Sequence, residues 1–119
     1  MDMRLLKCPE DNEIIKDILS RVEYSQLLSN RCSEQTLAAD CADAVKYGFG
    51  FVVAPLYNID FVVKQLSGTD VKIVYGGPAQ YNNIDATMTA VRIALDAGCD
   101  EIDMAINHSD MYAKNYDIV

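Results

Sequence analysis

Apolar residues recur at helical spacing in four segments of the chain. The segments are residues 11–22, 33–48, 57–68 and 82–98. Ser33 is a favourable cap before the second helix, and Gly48 and Gly98 are favourable ends for the second and fourth. Residues expected on the buried sides of the last three helices are Leu37, Cys41, Ala44, Val45, Ile59, Val62, Val63, Leu66, Ile84, Met88, Val91 and Leu95.

Short apolar runs lie between these helices and predict strands. They are residues 49–55, 70–77 and 101–107, with a weaker strand prediction over 22–28. Short strands that alternate with longer helices are typical of βα units and a parallel sheet. Residues 111–119 resemble the start of one more helix. Because a parallel sheet is normally covered on both faces or closed into a barrel, we expect the chain to be part of a larger fold.

Composition and charge narrow the function classes. Half of the 119 residues are hydrophobic and 24% are charged, as in ordinary globular domains. The net charge of -8 argues against nucleic acid and anionic membrane as partners, because both require a basic surface. The longest apolar run, residues 49–57, is far shorter than the roughly 18 residues of a membrane-spanning helix. Residues 1–20 carry charges throughout, unlike a secretory signal, so we expect a cytoplasmic protein.

The cysteines predict neither a metal site nor a disulfide framework. Cys8, Cys32, Cys41 and Cys99 lie far apart and form no C-x-x-C pair. We therefore expect reduced and mostly buried thiols.

Asp103 stands out because it interrupts the apolar strand "EIDMAIN". Ile102, Met104 and Ile106 form the larger apolar set, which we expect to face the helices. Asp103 would then point to the opposite side, with the small Ala105 beside it leaving space. A carboxylate buried there needs a cation, hydrogen bonds or a ligand.

Two interpretations of Asp103 are open from the residues alone. It is a structural carboxylate paired with Lys72 or a backbone donor, or it belongs to a functional site. The position of Asp103 well along its strand favours function, because barrel enzymes place their chemistry at the carboxyl ends of the strands. Lys72 lies near the start of its strand, at the end expected to be without chemistry.

Several blocks in the same order resemble deoxyribose-phosphate aldolase. They are "LLSNRCSEQTLAADC", "YGFGFVVAPLY", "VKIVYGGP" and "AGCDEIDMAIN...YDIV", the last with the family's E-[IV]-D-[MV] core. The resemblance implies residues 22–119 as the first four βα units of a (β/α)8 TIM barrel, preceded by an amino-terminal helix in residues 1–21. It also implies a Schiff-base lyase without cofactor or metal, in which Asp103 relays protons. The family's lysines and phosphate-binding loops belong to later strands.

Departures from the family pattern mark candidate pocket positions. Ser25 lies in the altered first-strand block, and Val52 stands where some members have cysteine. Asn107, the last residue of its strand, is expected either to hydrogen-bond a substrate hydroxyl or to cap the following loop. The only histidine, His108, is interpreted as a polar loop residue, because no partner lies at a recognisable spacing.

The expected activity of the complete protein is reversible cleavage of 2-deoxy-D-ribose 5-phosphate to glyceraldehyde 3-phosphate and acetaldehyde. Its expected partner is a phosphorylated sugar, with a homo-oligomer as a further expectation. Two alternatives are a Schiff-base barrel aldolase with another substrate and a non-catalytic half-barrel that associates through its open sheet edge.

Overall fold

The computed structural model describes residues 12–25, 33–77 and 83–117. Its elements in chain order are α1 (Glu13–Leu19), β1 (Glu23–Tyr24), α2 (Glu34–Tyr47), β2 (Phe51–Ala54), a 3-10 turn (Leu56–Asn58), α3 (Ile59–Leu66), β3 (Lys72–Gly77), α4 (Ile84–Ala97), β4 (Glu101–Met104) and α5 (His108–Tyr112). The strands form one parallel sheet in the order β1-β2-β3-β4. This confirms the predicted α/β fold. Of the predicted first strand, residues 26–28 lie outside the described residues.

Cap residues set the ends of the two long helices. The Ser33 hydroxyl accepts a hydrogen bond from the Thr36 amide at 3.2 Å, and the Asn83 side chain accepts one from the Ala86 amide at 2.8 Å. Gly48 and Gly98 end α2 and α4 with φ of 72° and 101°, a left-handed backbone that glycine adopts at little cost. Local sequence chemistry therefore determines where these helices stop.

The core lies between the helices and one face of the sheet. It consists of Leu37, Cys41 and Ala44 from α2, Ile59, Val62 and Leu66 from α3, Ala94 from α4, Val52, Ala54, Ile73 and Tyr75 from the strands, and Cys99. Most of these helical residues are the ones that the apolar spacing predicted. Val45 was also predicted to be buried, but 44% of it is exposed.

The predicted buried stripe of α4 is wrong in most positions. Ile84, Met88 and Leu95 are 62%, 44% and 50% exposed, whereas Ala94 is fully buried. Small residues pack this helix against the sheet, and Val91 is only partly buried. The larger apolar side chains lie along one side of the helix where no described element covers them.

Hydrogen bonds at the amino ends of the strands join α1 and the strand starts. The Gly50 amide donates to the Leu19 carbonyl at 3.0 Å, and the Gly50 carbonyl accepts from the Lys72 amide at 2.9 Å. A Cβ at Gly50 would overlap the Ser20 carbonyl, so only glycine fits this approach. The end of α1 is thereby held against the start of β2.

Asp100 fastens the start of β4 to β3. Its amide donates to the Ile73 carbonyl at 2.8 Å, and its carboxylate accepts from the Ile73 amide at 2.8 Å. The reciprocal pair fixes the register in which Val74 lies opposite Glu101. Along residues 12–25, 33–77 and 83–117, no helix is long and apolar enough to cross a membrane.

Candidate functional site

The sheet has two faces that differ in their contacts. Side chains alternate along a strand, so the neighbours of the helix-packed Val52, Ala54, Ile73 and Tyr75 point the other way. We call this opposite side the inner face. By strand alternation and register its members are Glu23, Phe51, Val53, Lys72, Val74, Gly76, Glu101 and Asp103.

Asp103 lies on the inner face near the carboxyl end of β4. Its register partner is Gly76 of β3, and Met104 is the last residue of the strand. Gly76 has no side chain, so space remains beside the carboxylate. The direction of Asp103 agrees with the predicted alternation. Its side chain is exposed, so the carboxylate carries no burial cost in this chain.

Lys72 pairs with Glu101 and lies at the other end of the sheet. Its ammonium nitrogen is 3.6 Å from a Glu101 carboxylate oxygen and 5.5 Å from the ring centroid of Phe51. Lys72 is the first residue of β3, while Asp103 registers with Gly76, about 13 Å further along a strand. The geometry therefore does not support a structural Lys72–Asp103 pair.

The structure separates the predicted pocket residues. Ser25 follows directly after β1 and is exposed, but β1 and β4 are opposite edges of the sheet. Three strand spacings, about 14 Å along the sheet, separate Ser25 from Asp103. Val52 is fully buried in the helix-side core, on the other face from Asp103.

Asn107 caps the short helix that follows β4. Its side-chain oxygen accepts hydrogen bonds from the amides of Ser109 at 2.9 Å and Asp110 at 3.3 Å. Asn107 was expected either to hydrogen-bond a substrate hydroxyl or to cap the following loop, and the structure shows a cap. His108 is the first residue of α5 and is exposed.

Glu101 was not singled out from the sequence, although it shares the parity of Asp103. The signal was present in "EIDM", where both acidic residues alternate with apolar ones. A residue next to an unusual carboxylate at a spacing of two belongs to the same face of a strand. Glu101 is the carboxylate that faces Lys72 across the β3–β4 pair.

The described thiols are free, buried and poorly suited to nucleophilic chemistry. Burial, with the nearby Asp40 carboxylate as a second cause, raises the pKa of Cys41 to about 11. Burial also raises the pKa of Cys99. Both are protonated near neutral pH, and the thiolate is the reactive form. Cys8 and Cys32 lie outside the described residues.

A second polar contact lies on the helix side of the sheet. The Tyr24 hydroxyl is 3.4 Å from an Asp40 carboxylate oxygen, and burial followed by this carboxylate raises the pKa of Tyr24. An apolar groove of about 520 Å³ also lies on the helix side of the sheet, between Leu56 and the α4 residues Ala90 and Ile93. Neither feature shares a face with Asp103. Within the described part of the chain, no group of three or more His, Cys, Asp or Glu could hold a metal ion.

Known proteins resemble this chain in sequence and in structure. No family model matches the chain. The deoxyribose-phosphate aldolase of Clostridium tetani is 33% identical over 95 residues, which cover 78% of this chain and 44% of that protein. A solved structure from Coccidioides immitis, provisionally given the same name, has a TM-score of 0.82 at 24% identity and covers 88% of this chain and 42% of its own. The tetrameric deoxyribose phosphate aldolase of Aeropyrum pernix has a TM-score of 0.71 at 22% identity and covers 79% and 41%.

The parallel sheet and these likenesses define the fold class as an α/β barrel fold, of which the chain has four parallel strands. Within that class, the chain is a relative of the deoxyribose-phosphate aldolases, consistent with their amino-terminal half. It spans less than half the length of the curated relatives it matches. The likenesses favour neither an aldolase of another substrate nor a non-catalytic half-barrel.

Proposed function

We propose that this chain supplies the amino-terminal half of a deoxyribose-phosphate aldolase-like lyase. The complete enzyme would reversibly cleave 2-deoxy-D-ribose 5-phosphate to glyceraldehyde 3-phosphate and acetaldehyde through a lysine Schiff base. Asp103 is the proton relay. The observation that carries the proposal is the place of Asp103 on the inner face, near the carboxyl end of β4 and opposite Gly76.

The chemistry of an imine explains the need for a carboxylate at that place. A lysine amine adds to a carbonyl to give a carbinolamine, whose hydroxyl group must be protonated before it leaves as water. Hydrolysis requires the reverse transfer. A carboxyl group within hydrogen-bond reach can give and take this proton near neutral pH. Asp103 has open space beside it for such a substrate because its register partner is glycine.

Lys72 does not have the placement of the Schiff-base lysine. It lies at the amino end of β3 and its ammonium faces Glu101. In the proposal, the reactive lysine and the phosphate contacts come from a part of the barrel outside these 119 residues. The chain alone is therefore expected to be inactive.

The three pocket candidates differ in what their positions allow. Ser25 follows β1, at the sheet edge opposite Asp103, and can contact a substrate that spans the two edges. Asn107 has its oxygen committed to the α5 cap, which leaves its amide nitrogen to donate. Val52 can act only by fixing the backbone of β2, because its side chain is in the core. The boundary between residues 1–21 and 22–119, and the cytoplasmic location, stay predictions.

A chimaera tests the proposal. The part of this chain that matches the Clostridium tetani aldolase, 95 residues long, would replace the matched segment of that enzyme, and cleavage of 2-deoxyribose 5-phosphate would be followed. We expect activity, and we expect Asp103→Asn to lower kcat by about 100-fold or more, the range for loss of a general acid–base group. The matched control is Glu101→Gln, two residues before Asp103 on the same face of β4. It should change kcat by less than about threefold, because Glu101 is outside the proposed relay.

The outcome that contradicts the relay is a folded chimaera in which Asp103→Asn and Glu101→Gln have equal kcat. Circular dichroism and unfolding midpoints establish folding for each variant. Borohydride trapping gives a second readout, since Asp103→Asn should slow imine formation with acetaldehyde. A chimaera that forms the imine but does not cleave deoxyribose 5-phosphate would contradict the substrate.

A further inference from the structure

Asp100 lies just before β4 and makes a two-way contact with Ile73 of β3. The Asp100 amide donates to the Ile73 carbonyl at 2.8 Å, and one oxygen of the Asp100 carboxylate accepts from the Ile73 amide at 2.8 Å. A side chain is therefore the acceptor for a strand amide at a point where β4 has not yet begun. Because the acceptor is charged, this hydrogen bond is stronger than one between two neutral groups.

The end of α4 holds the residues that lead to Asp100. Gly98 ends the helix with a φ of 101°, and its amide donates to the Leu95 carbonyl at 3.0 Å. The Cys99 amide donates to the Ala94 carbonyl at 3.1 Å. The Cys99 side chain is 8% exposed and belongs to the core. Asp100 thus starts from a fixed point, and its bond to β3 determines how the next strand enters the sheet.

The place of Asp103 depends on the register that this contact sets. Asp103 lies three residues after Asp100 and opposite Gly76. A shift of one residue between β3 and β4 would place Asp103 opposite Tyr75 or Gly77 and turn it toward the helices, because side chains alternate between the two faces. The carboxylate would then be missing from the inner face.

The β3–β4 pair has modest support apart from Asp100. β4 is four residues long and, among the described strands, pairs with β3 alone. The ion pair of Lys72 and Glu101 also joins the two strands, but its atoms are 3.6 Å apart and its side chains are 56% and 47% exposed. Exposed ion pairs contribute little to stability. Of these two side-chain contacts, the one made by Asp100 is therefore the stronger determinant of the register.

We propose that Asp100 is a positioning residue, which acts through Asp103 by holding β4 in the register that puts the Asp103 carboxylate opposite Gly76. Asp100 is about 10 Å along the strand from Asp103, so it does not touch the reacting atoms. A displacement of about 1 Å at a reacting group can lower a rate by about 100-fold. The catalytic part of this role rests on the proposed function, in which Asp103 relays protons. The structural part can be measured without catalysis.

The first measurement follows the register in the 119-residue chain by NMR. It records nuclear Overhauser contacts between the backbones of Gly76 and Asp103, and hydrogen exchange of the Ile73 amide. Asp100→Ala should lose the contacts and speed the exchange by at least about 10-fold, because the amide loses a charged acceptor. Asp100→Asn should keep both near the parent values, since its side-chain oxygen can still accept the bond. Contacts retained in Asp100→Ala would overturn the proposal, whether or not Asp103 is the relay.

The second measurement is a double-mutant cycle in the chimaera, which also covers the case in which Asp100→Ala unfolds the short chain. Borohydride trapping with acetaldehyde, carried to completion, counts the imine-forming molecules, so lost folded protein is not scored as a lower rate. Asp100→Ala should lower kcat per trapped site by at least about 10-fold and leave KM within about threefold. In the Asp103→Asn background it should change kcat by less than about twofold, because residues that act through one another are not additive.

Equal losses in the two backgrounds would overturn the proposal, because Asp100 would then act on the fold alone. The matched control is Asp96→Ala, at an exposed aspartate near the end of α4, which should leave kcat within about twofold and the NMR contacts unchanged. If Asp103→Asn keeps the parent kcat, the proposed relay is contradicted. The NMR contacts in Asp100→Ala would in that case still support or overturn the role of Asp100 in the register.

Discussion

β3 and β4 are neighbouring strands with the same alternation but different surroundings. Ile73, Val74 and Tyr75 of β3 are only 5%, 1% and 6% exposed, whereas Glu101, Asp103 and Met104 of β4 are all exposed. β3 has a strand on each side, while β4 pairs only with β3 among the described strands. The apolar residues of a strand are buried only where neighbouring strands and helices cover them. The less covered strand is the one that carries the candidate catalytic group.

The largest expected difference is in packing energy. Ile73→Ala should lower the unfolding free energy of the 119-residue chain by about 2–5 kcal/mol, because it removes buried methyl groups and leaves a cavity. Met104→Ala in β4, at a residue 56% exposed, should cost less than about 1 kcal/mol. Urea unfolding measures both. Equal costs would mean that the two strands are equally covered.

A charge-assisted hydrogen bond at the junction of the two strands comes next. Asp100→Ala should destabilise the chain by about 1.5–3 kcal/mol, because the backbone amide of Ile73 loses the carboxylate that accepts its hydrogen bond. Asp96→Ala, on α4, is the control and should stay within about 0.5 kcal/mol. If both variants unfold at the same urea concentration, Asp100 does not hold β4 to β3.

The buried thiols predict how stability changes at high pH. The pKa of Cys41 is 9.0 in the unfolded reference and raised to about 11 in the fold, so the folded state retains the proton that the unfolded state loses. The resulting contribution is present below pH 9.0 and is lost as pH rises to about 11. Cys41→Ala should therefore flatten the decline of unfolding free energy with pH in this range. An unchanged slope would contradict the raised pKa.

The smallest expected effect is at the ion pair on the inner face. Lys72 and Glu101 have side chains 56% and 47% exposed, so their coupling should be below about 1 kcal/mol. A double-mutant cycle with Lys72→Met and Glu101→Gln measures it. A coupling of several kcal/mol would indicate that this end of the inner face is enclosed.

Local chemistry made much of the fold predictable. Ser33 and Gly48 bound α2 as expected, and the alternation of "EIDM" placed Asp103 on the face opposite the helices. The packed side of α4 was not predictable in the same way. Apolar residues occupy most of its circumference, and the sheet selects the side with the small Ala94 instead of the larger Ile84.

The site was predictable only in part. Alternation along a strand predicts which face of the sheet a side chain lies on, but not how far apart two side chains on different strands are. Asp103 lies in β4 and Ser25 follows β1, and these two strands are opposite edges of the sheet. The partner of Lys72 depended on the β3–β4 register, which Asp100 helps to set. The role of Asn107 depended on where α5 begins, and that helix starts three residues earlier than the predicted residue 111.

The most direct test of the account is to locate the lysine that forms the imine. Borohydride trapping with acetaldehyde, followed by peptide mass mapping, would be done on the 119-residue chain and on the chimaera. We predict an adduct in the chimaera on a lysine outside the grafted segment, and none on the short chain above the level of the denatured control. An adduct on Lys72 would contradict the account, because the reactive amine would then lie at the end of the sheet away from Asp103.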